Sequence, residues 1–255
     1  MIPVSYYAKD EFTSPKFAYA FAKGCRGTIT DDLDYLHDGP VALFGSPPSW
    51  PLLRQAQVEG RDWYFGDHAY LGRGKYYRIT KNAYQHDGRG NATSERFRAL
   101  RRQIQSWQPN GSHILICPNS AIYFSFHGIN VQQWLEETTA TLRQYTDRPI
   151  RIRWKTQRAA NPIAEDLRRA WAVVVYSSAA ALDALIAGVP IFTLAPFAAS
   201  VRMGLSNLSQ IESPIRPGGR DGFLSNLCAN QWTIQEILQG QAWRDLQEQE
   251  QSRAA

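Results

Sequence analysis

Three groups of side chains in this sequence have the types and spacing to do chemistry. Asp67 and His68 follow Gly66 at the end of an apolar run, Arg61 to Phe65. A side chain at a strand's carboxyl end beside a glycine is open to substrate and can serve as a general base. Arg73, Lys75 and Arg78 lie close enough in sequence to keep Asp67 ionised at neutral pH. A Gly-Asp turn with a hydrogen-bonded histidine has the same sequence, and His86-Asp87 and His37 compete for the role. The second group is Ser177 and Ser178, between an apolar run, Ala172 to Tyr176, and a helical stretch, Ala179 to Ala187. There a helix N-terminus presents free N–H groups and partial positive charge, which suits a phosphate. Asp183 is the only charged residue between Arg169 and Arg202, and a carboxylate in so apolar a run costs free energy unless it is paired or lines a cleft. A capping serine and an aspartate on the helix's wet side would account for both. The third group is Arg153 and Lys155, which end the preceding strand, with Asn119 and Ser120 at the end of an earlier one. Together they can cradle a diphosphate; solvated charge on an edge strand is the competing account.

The elements that must position these groups follow from hydrophobic patterning. Ala172 to Pro196 reads as strand, turn, helix and strand, with Gly188 placed to end the helix in a left-handed turn. Such βαβ units build parallel sheets that bind ligands at the strands' carboxyl ends. Upstream, strands are expected at His113–Cys117 and Pro149–Lys155, with an amphipathic helix over Val131–Tyr145 and a short helix over Pro162–Ala170. The first part repeats the rhythm. Strands are expected at Ile2–Tyr7, Val41–Phe44 and Arg61–Phe65, and helices at Phe12–Lys23 and Trp50–Glu59. Gly45-Ser46 ends the second of these strands, where a ligand can approach backbone. Phe223–Ala229 and Thr233–Leu246 read as two closing helices with Trp232 anchoring their junction.

Trp63 to Asn91 is the unusual segment. It holds five Gly, seven Trp, Tyr or Phe, two His and five Lys or Arg, with no clear helical or strand period. Long structureless loops in compact domains are commonly functional, and cations interleaved with aromatic rings suit a surface that holds phosphates and stacks bases.

The chain has 255 residues, 44% hydrophobic and 20% charged, which describes a folded protein of one or two domains. A net charge of +5 favours an anionic partner. The three cysteines are far apart, with no metal-ligand spacing and no disulfide framework. No apolar run reaches the roughly 20 residues of a membrane span, and the first residues lack a secretory pattern, so a soluble intracellular protein is expected. The sequence has no P-loop, G-x-S-x-G or H-E-x-x-H motif, which leaves NTPase, esterase and zincin chemistry without support.

The stretch YSSAAALDALIAGVPIFTL resembles the donor-binding segment of GT-B glycosyltransferases, where a Ser-rich turn meets the nucleotide-sugar diphosphate and an acidic helix residue contacts the ribose. The matching positions are Ser177, Ser178 and Asp183, with Asp standing where Glu is more usual. The segments GDHAYLGRGKYYRITKNAYQHDG and LCANQWTIQEILQGQAW are similar to parts of small bacteriophage-encoded glycosyltransferases that modify hydroxymethylated pyrimidines in DNA. These resemblances imply an α/β fold of two Rossmann-like domains facing a cleft, compact and GT-B-like. The expected parts are an acceptor-binding domain over residues 1–105, a nucleotide-sugar domain over 106–222, and closing helices and tail over 223–255. The implied reaction moves a sugar from a UDP-sugar, UDP-glucose first, to 5-hydroxymethylcytosine in double-stranded phage DNA. It would need no metal, membrane or protein partner and would run in the cytoplasm of an infected bacterium. Asp67, with His68, would be the catalytic base. Asn119, Arg153, Lys155, Ser177, Ser178 and Asp183 would hold the donor. Gly45, Ser46, Arg73, Lys75, Tyr77, Arg78, Lys81 and His86 would meet the acceptor DNA. Two alternatives stand beside this reading. One is a glycosyltransferase for surface polysaccharide or lipid-linked sugar, and the other a non-catalytic nucleic-acid or nucleotide-binding protein.

Overall fold

The computed structural model describes residues 4–8, 15–45, 50–89, 95–154 and 162–254. The chain divides into two compact units, residues 1–84 with 228–255, and residues 85–227. The expected boundary at residue 105 therefore falls inside the second unit, and the last residues return to the first. Lys155, Ser46 and the start of the expected first helix lie outside the described residues.

The first unit contains β1 (Ser5–Tyr7), α1 (Pro15–Cys25), β2 (Thr28–Thr30), β3 (Val41–Phe44), α2 (Trp50–Val58), β4 (Trp63–His68) and β5 (Tyr77–Lys81). The end of the chain adds β10 (Gln231–Trp232), α9 (Ile234–Leu238) and α10 (Gln241–Ala254). Pro15 and Pro51 sit in the first turns of α1 and α2, where a missing N–H removes no intrahelical bond. The sheet runs β10-β5-β4-β3-β1-β2. Its β2-β1-β3-β4 part is parallel, and β5 and β10 extend it antiparallel.

Trp63–Asn91 is thus not the structureless loop that its composition suggests. Its first part is an antiparallel hairpin of β4 and β5, with Tyr64 opposite Lys81 and His68 opposite Tyr77. The strand expected at Arg61–Phe65 is β4, longer and shifted towards His68, while β5 is hidden because its middle residues are buried on both faces, so apolar and polar residues do not alternate. The core here is aromatic. Tyr6, Phe17, Phe21, Phe44 and Tyr64 pack with Ile79 and Trp232. Trp232, expected to anchor the junction of the closing helices, is a fully buried strand residue between α8 and α9, and its indole N–H donates to Asp245 of α10 at 2.7 Å. The single helix expected over Thr233–Leu246 is two helices, because Gly240 takes φ +75 between them. A capping box of Thr233 and Glu236 starts the first.

The second unit contains α3 (Glu95–Ala99), β6 (His113–Ile116), α4 (Ala121–Phe126), α5 (Val131–Arg143), β7 (Ile150–Ile152), α6 (Ile163–Leu167), β8 (Ala170–Val175), α7 (Ala180–Ala187) and β9 (Ile191–Thr193). α8 (Arg220–Ala229) runs across the boundary between the units. The sheet is parallel throughout, in the order β7-β6-β8-β9. Continuous apolar runs, HILI in β6 and AVVV in β8, suit strands covered on both faces, and Ile114–Ile116 and Ala172–Val175 are fully buried. Phe124, Trp134, Leu135 and Leu142 of α4 and α5 cover this sheet together with Ile211. In both units the parallel strands take the order 2-1-3-4, which is Rossmann-like α/β organisation.

Gly188 shows how tightly α7 is ended. It adopts φ +74, as a left-handed C-cap requires. A Cβ there would lie 2.0 Å from the Ser106 carbonyl oxygen. Among the described residues no helix is long and apolar enough to cross a membrane.

Candidate functional site

The order β7-β6-β8-β9 dictates where residues 85–227 can bind a ligand. From β6 the chain moves to β7 on one side and then returns to β8 on the other. The connections leaving β6 and β8 therefore diverge, and a crevice opens at the carboxyl ends of this strand pair. Asn119 follows β6 and Ser177 follows β8, so the fold brings these two sequence-expected residues face to face. The Ser177 N–H donates to Asn119 Oδ1 at 3.1 Å, and Asn119 Nδ2 donates to Ser177 Oγ at 3.4 Å. Ser177 Oγ–H in turn donates to the Tyr123 hydroxyl at 2.9 Å. Ser120 acts locally, capping α4 with a side chain that accepts the Tyr123 N–H at 3.3 Å. Ser178 is half-buried, and its Oγ accepts the Ala180 N–H at 3.4 Å. The N-cap position itself is Ala179, whose side chain contributes no cap bond.

Tyr123 and Gln85 complete this arrangement, and neither was marked as a site residue by the sequence. Gln85 Nε2 donates to the Ser177 carbonyl at 3.3 Å, while its Oε1 accepts the Ala199 N–H at 2.7 Å. One amide thus ties the turn after β8 to the loop after β9. Ser177 is held through its N–H, its hydroxyl and its carbonyl, and the backbone at the crevice is fixed in advance of any ligand. Beside it, the rings of Tyr123 and His127 lie 4.7 Å apart, and His127 stacks on Phe197 at 4.8 Å. Cys117, at the end of β6, is no nucleophile, because burial pushes its thiol up to about 12.

The other expected donor contacts are placed differently. β7 pairs only with β6, so Arg153 lies beyond Asn119 rather than beside Ser177. Arg153 is buried and ion-paired with Asp166. Asp183 pairs with Arg102 at 2.7 Å, and this pair lies at the mouth of a cavity beside α7.

In the first unit, Asp67 and His68 are the last residues of β4, at its carboxyl end as the sequence implies. Asp67 is committed to Arg78, 2.5 Å away on β5, and its Oδ1 accepts the His68 N–H at 2.7 Å. Burial works to raise the Asp67 pKa, but the charge and hydrogen bond of Arg78 outweigh it and hold the carboxyl below its ordinary value. Such a carboxylate is a weaker base than a free one. The His68 ring lies edge-on to Phe44 at 5.5 Å and stacked with Tyr77 at 6.3 Å.

The cations expected to grip DNA divide into two kinds. Arg73 and Lys75 are exposed, Lys75 lying over the Tyr76 ring at 5.1 Å. Arg78 is buried on Asp67 and over the Tyr70 ring. Lys81 bonds Asp62 and Glu250, which against the cost of burial hold its ammonium up at about 12. Tyr77 packs in the aromatic core against Phe17 and Phe44. His86 is buried in the other unit, where its Nδ1 accepts the Gly88 N–H at 3.0 Å. Gly45 takes φ +69 at the end of β3, with open space where a side chain would stand. Among the described residues no three His, Cys, Asp or Glu side chains converge to hold a metal.

The charge is also unevenly divided. Residues 85–227 carry sixteen Lys and Arg against ten Asp and Glu, and the rest of the chain twelve against thirteen. The positive excess therefore belongs to the unit that holds the Asn119–Ser177 crevice.

No family model matches this chain, and no curated protein matches it in sequence. Its fold is similar to that of two solved glycosyltransferase structures. One is Thermosulfurimonas dismutans KpsC, beta Kdo 2,4 transferase, with a TM-score of 0.53 and 10% identity over 93% of this chain and 98% of that one. The other is Thermosulfurimonas dismutans KpsC, beta Kdo 2,7 transferase, with a TM-score of 0.52 and 12% identity over 93% of this chain and 97% of that one. At these identities the likeness is one of fold.

Proposed function

We propose that this chain is a glycosyltransferase that takes a nucleotide-activated sugar at the crevice between β6 and β8 and adds it to a surface polysaccharide. The Asn119–Ser177–Tyr123 arrangement carries this reading: it is a prearranged polar site at the point where the sheet order favours a ligand, in the unit with the positive excess. The donor's phosphate would meet the Ser177–Ser178 turn and the N-terminal N–H groups of α7. In the transfer, an acceptor hydroxyl oxygen bonds to the anomeric carbon and the bond from that carbon to the phosphate oxygen breaks. The hydroxyl proton goes to a base.

A saccharide acceptor is preferred over hydroxymethylcytosine DNA for two reasons. Arg78 and Lys81 are used inside the first unit, and the two solved structures of similar fold described above are named as Kdo transferases. Kdo, a carboxylated sugar, joins UDP-glucose among the donors to try. The experiment is a transfer assay with radiolabelled UDP-sugars and nucleotide-activated Kdo, offered both an acidic polysaccharide fragment and hydroxymethylcytosine DNA. Transfer to the saccharide is expected, with Asn119→Asp lowering it by about tenfold or more. Transfer to DNA instead would replace the acceptor, and no transfer from any donor would leave a nucleotide-binding protein without this activity.

A further inference from the structure

Residues 85–227 hold two more cavities, each of about 390 Å³, away from the crevice. They adjoin through Arg102, which lines both. Between them runs the extended segment 102–108, laid against the C-terminal end of α7. The Gln105 N–H donates to the Ile186 carbonyl at 2.8 Å, and the Gln108 N–H to that of Gly188 at 2.7 Å. Extended backbone sends successive side chains to opposite faces. Gln103 and Gln105 accordingly line one cavity and Ile104 the other; beyond them the alternation breaks, with Trp107 on the side of Ile104 and Gln108 on that of Gln105.

The walls have a definite chemistry. The first cavity is lined by Leu167, Ile186, Arg168 and three glutamines, of which Gln105 and Gln108 donate their amide N–H groups to neighbouring carbonyls and keep their amide oxygens as acceptors. The second has the Trp107 indole, the Gly218-Gly219 backbone and Arg220, which lies over the indole at 3.9 Å. Arg220 is fixed there by bonds to the Leu185 and Gln105 carbonyls at 2.7 and 2.9 Å. Asp183 is neutralised by Arg102 at 2.7 Å. Arg168 is exposed and has no ion pair among the described residues. Amides suit hydroxyl groups, an indole and aliphatic side chains suit the C–H faces of sugar rings, and the Arg168 guanidinium suits a carboxylate, which would lie away from Asp221 in the wall of the second cavity. A lipid would meet polar walls, and a single-stranded nucleic acid would lack a row of stacking platforms. The volumes fall within the range of small-ligand sites.

We infer that these adjoining cavities hold a carboxylate-bearing saccharide chain, alongside α7 and apart from the nucleotide crevice. The lining runs along α7 from Asp183 in its first turn to Ala187 at its end, and includes none of Asn119, Tyr123 and Ser177 of the crevice. The inference rests on the reading of the acceptor as a saccharide, but the subsite is a separate place and can be tested separately.

The test is calorimetric titration of the full chain with tetragalacturonate, with neutral maltotetraose and with UDP. Tetragalacturonate should bind at least about tenfold more tightly than maltotetraose, a difference of ~1.4 kcal/mol. Trp107→Ala and Arg168→Ala should each weaken tetragalacturonate about fivefold or more and leave UDP affinity unchanged. Arg168 is an exposed residue, so its variant answers even if loss of Trp107 disturbs the fold. Absent tetragalacturonate binding, equal affinity for the two sugars, or full binding by the Arg168→Ala protein would overturn the subsite. Loss of UDP binding alone, with tetragalacturonate still sensitive to Arg168→Ala, would overturn the nucleotide crevice and leave the subsite standing.

Discussion

Asp67 and Arg78 are direct cross-strand partners in the β4–β5 hairpin, and their charged groups close to 2.5 Å. Arg78 is almost wholly buried, and its Nε makes no hydrogen bond. Removing the carboxylate would leave a buried guanidinium without its counter-charge, which costs about 3 kcal/mol for a partly exposed pair. Because the folded Asp67 pKa lies below the unfolded value of 3.8, the folded state binds fewer protons there. The pair's contribution is therefore full above that value and is lost as the pH falls through the folded pKa. Urea unfolding of the wild type and Asp67→Asn should differ by a constant amount from neutral pH down to about pH 5. The gap should narrow below pH 4. A gap that stays constant into strong acid would show that Asp67 acts through packing and not through charge.

The crevice makes a prediction that depends on the ligand's charge. Asn119→Asp keeps the Oδ1 acceptor for the Ser177 N–H but loses the Nδ2 donor and adds a negative charge. If a phosphate sits by Ser177, UDP should bind at least about tenfold more weakly to Asn119→Asp, while uridine should bind nearly as before. Ser177→Ala, which removes a neutral hydroxyl, should weaken UDP by about fivefold without the same dependence on salt. Equal effects of Asn119→Asp on UDP and uridine would place the phosphate elsewhere.

What the sequence made legible, and what it concealed, has a physical pattern. β6 and β8 are apolar runs ended by polar turns, and burial on both faces is written in each strand alone. Ser177 and Asn119 were legible for the same reason, as the first polar residues after such strands. β4 was legible as a strand, but its pairing with β5 was concealed because the packed faces of β5 erase alternation and glycines fill the turn between them. Tyr123 and Gln85 were concealed because their value depends on which strand ends become neighbours. Chain order puts the end of β7 just before β8, but the sheet places β6 between them. That reordering moves Arg153 away from Ser177 and brings Asn119 to it. The pairings of Arg78 and Lys81, which depend on tertiary contacts, likewise turned expected ligand-gripping cations into internal ones.

Gly188 and Gly60 separate conformational strain from contact. Both have positive φ, +74 and +69. A Cβ at Gly60 meets nothing within 4 Å, whereas one at Gly188 would meet the Ser106 carbonyl at 2.0 Å. Gly60→Ala should cost the left-handed penalty alone, about 1–2 kcal/mol. Gly188→Ala should cost at least about 3 kcal/mol, because the 102–108 segment must also move off α7. Chemical denaturation of the two variants decides this. Equal losses would mean that the segment yields freely and is not pinned to the helix end.

Gln85 allows the two loops beside the crevice to be uncoupled one bond at a time. Gln85→Glu removes the donor to the Ser177 carbonyl and keeps an acceptor for the Ala199 N–H, while Gln85→Ala removes both. Ala199 is buried, and a buried N–H left unpaired costs about 1–3 kcal/mol. Its amide should therefore exchange with solvent about tenfold or more faster in Gln85→Ala and at close to the wild-type rate in Gln85→Glu. If the turn after β8 needs the amide to hold Ser177 in place, both variants should lose UDP affinity, Gln85→Glu more steeply at low salt because of its charge. Unchanged Ala199 exchange in Gln85→Ala would show that the loop after β9 is held by other contacts and that Gln85 does not tie it to the turn after β8.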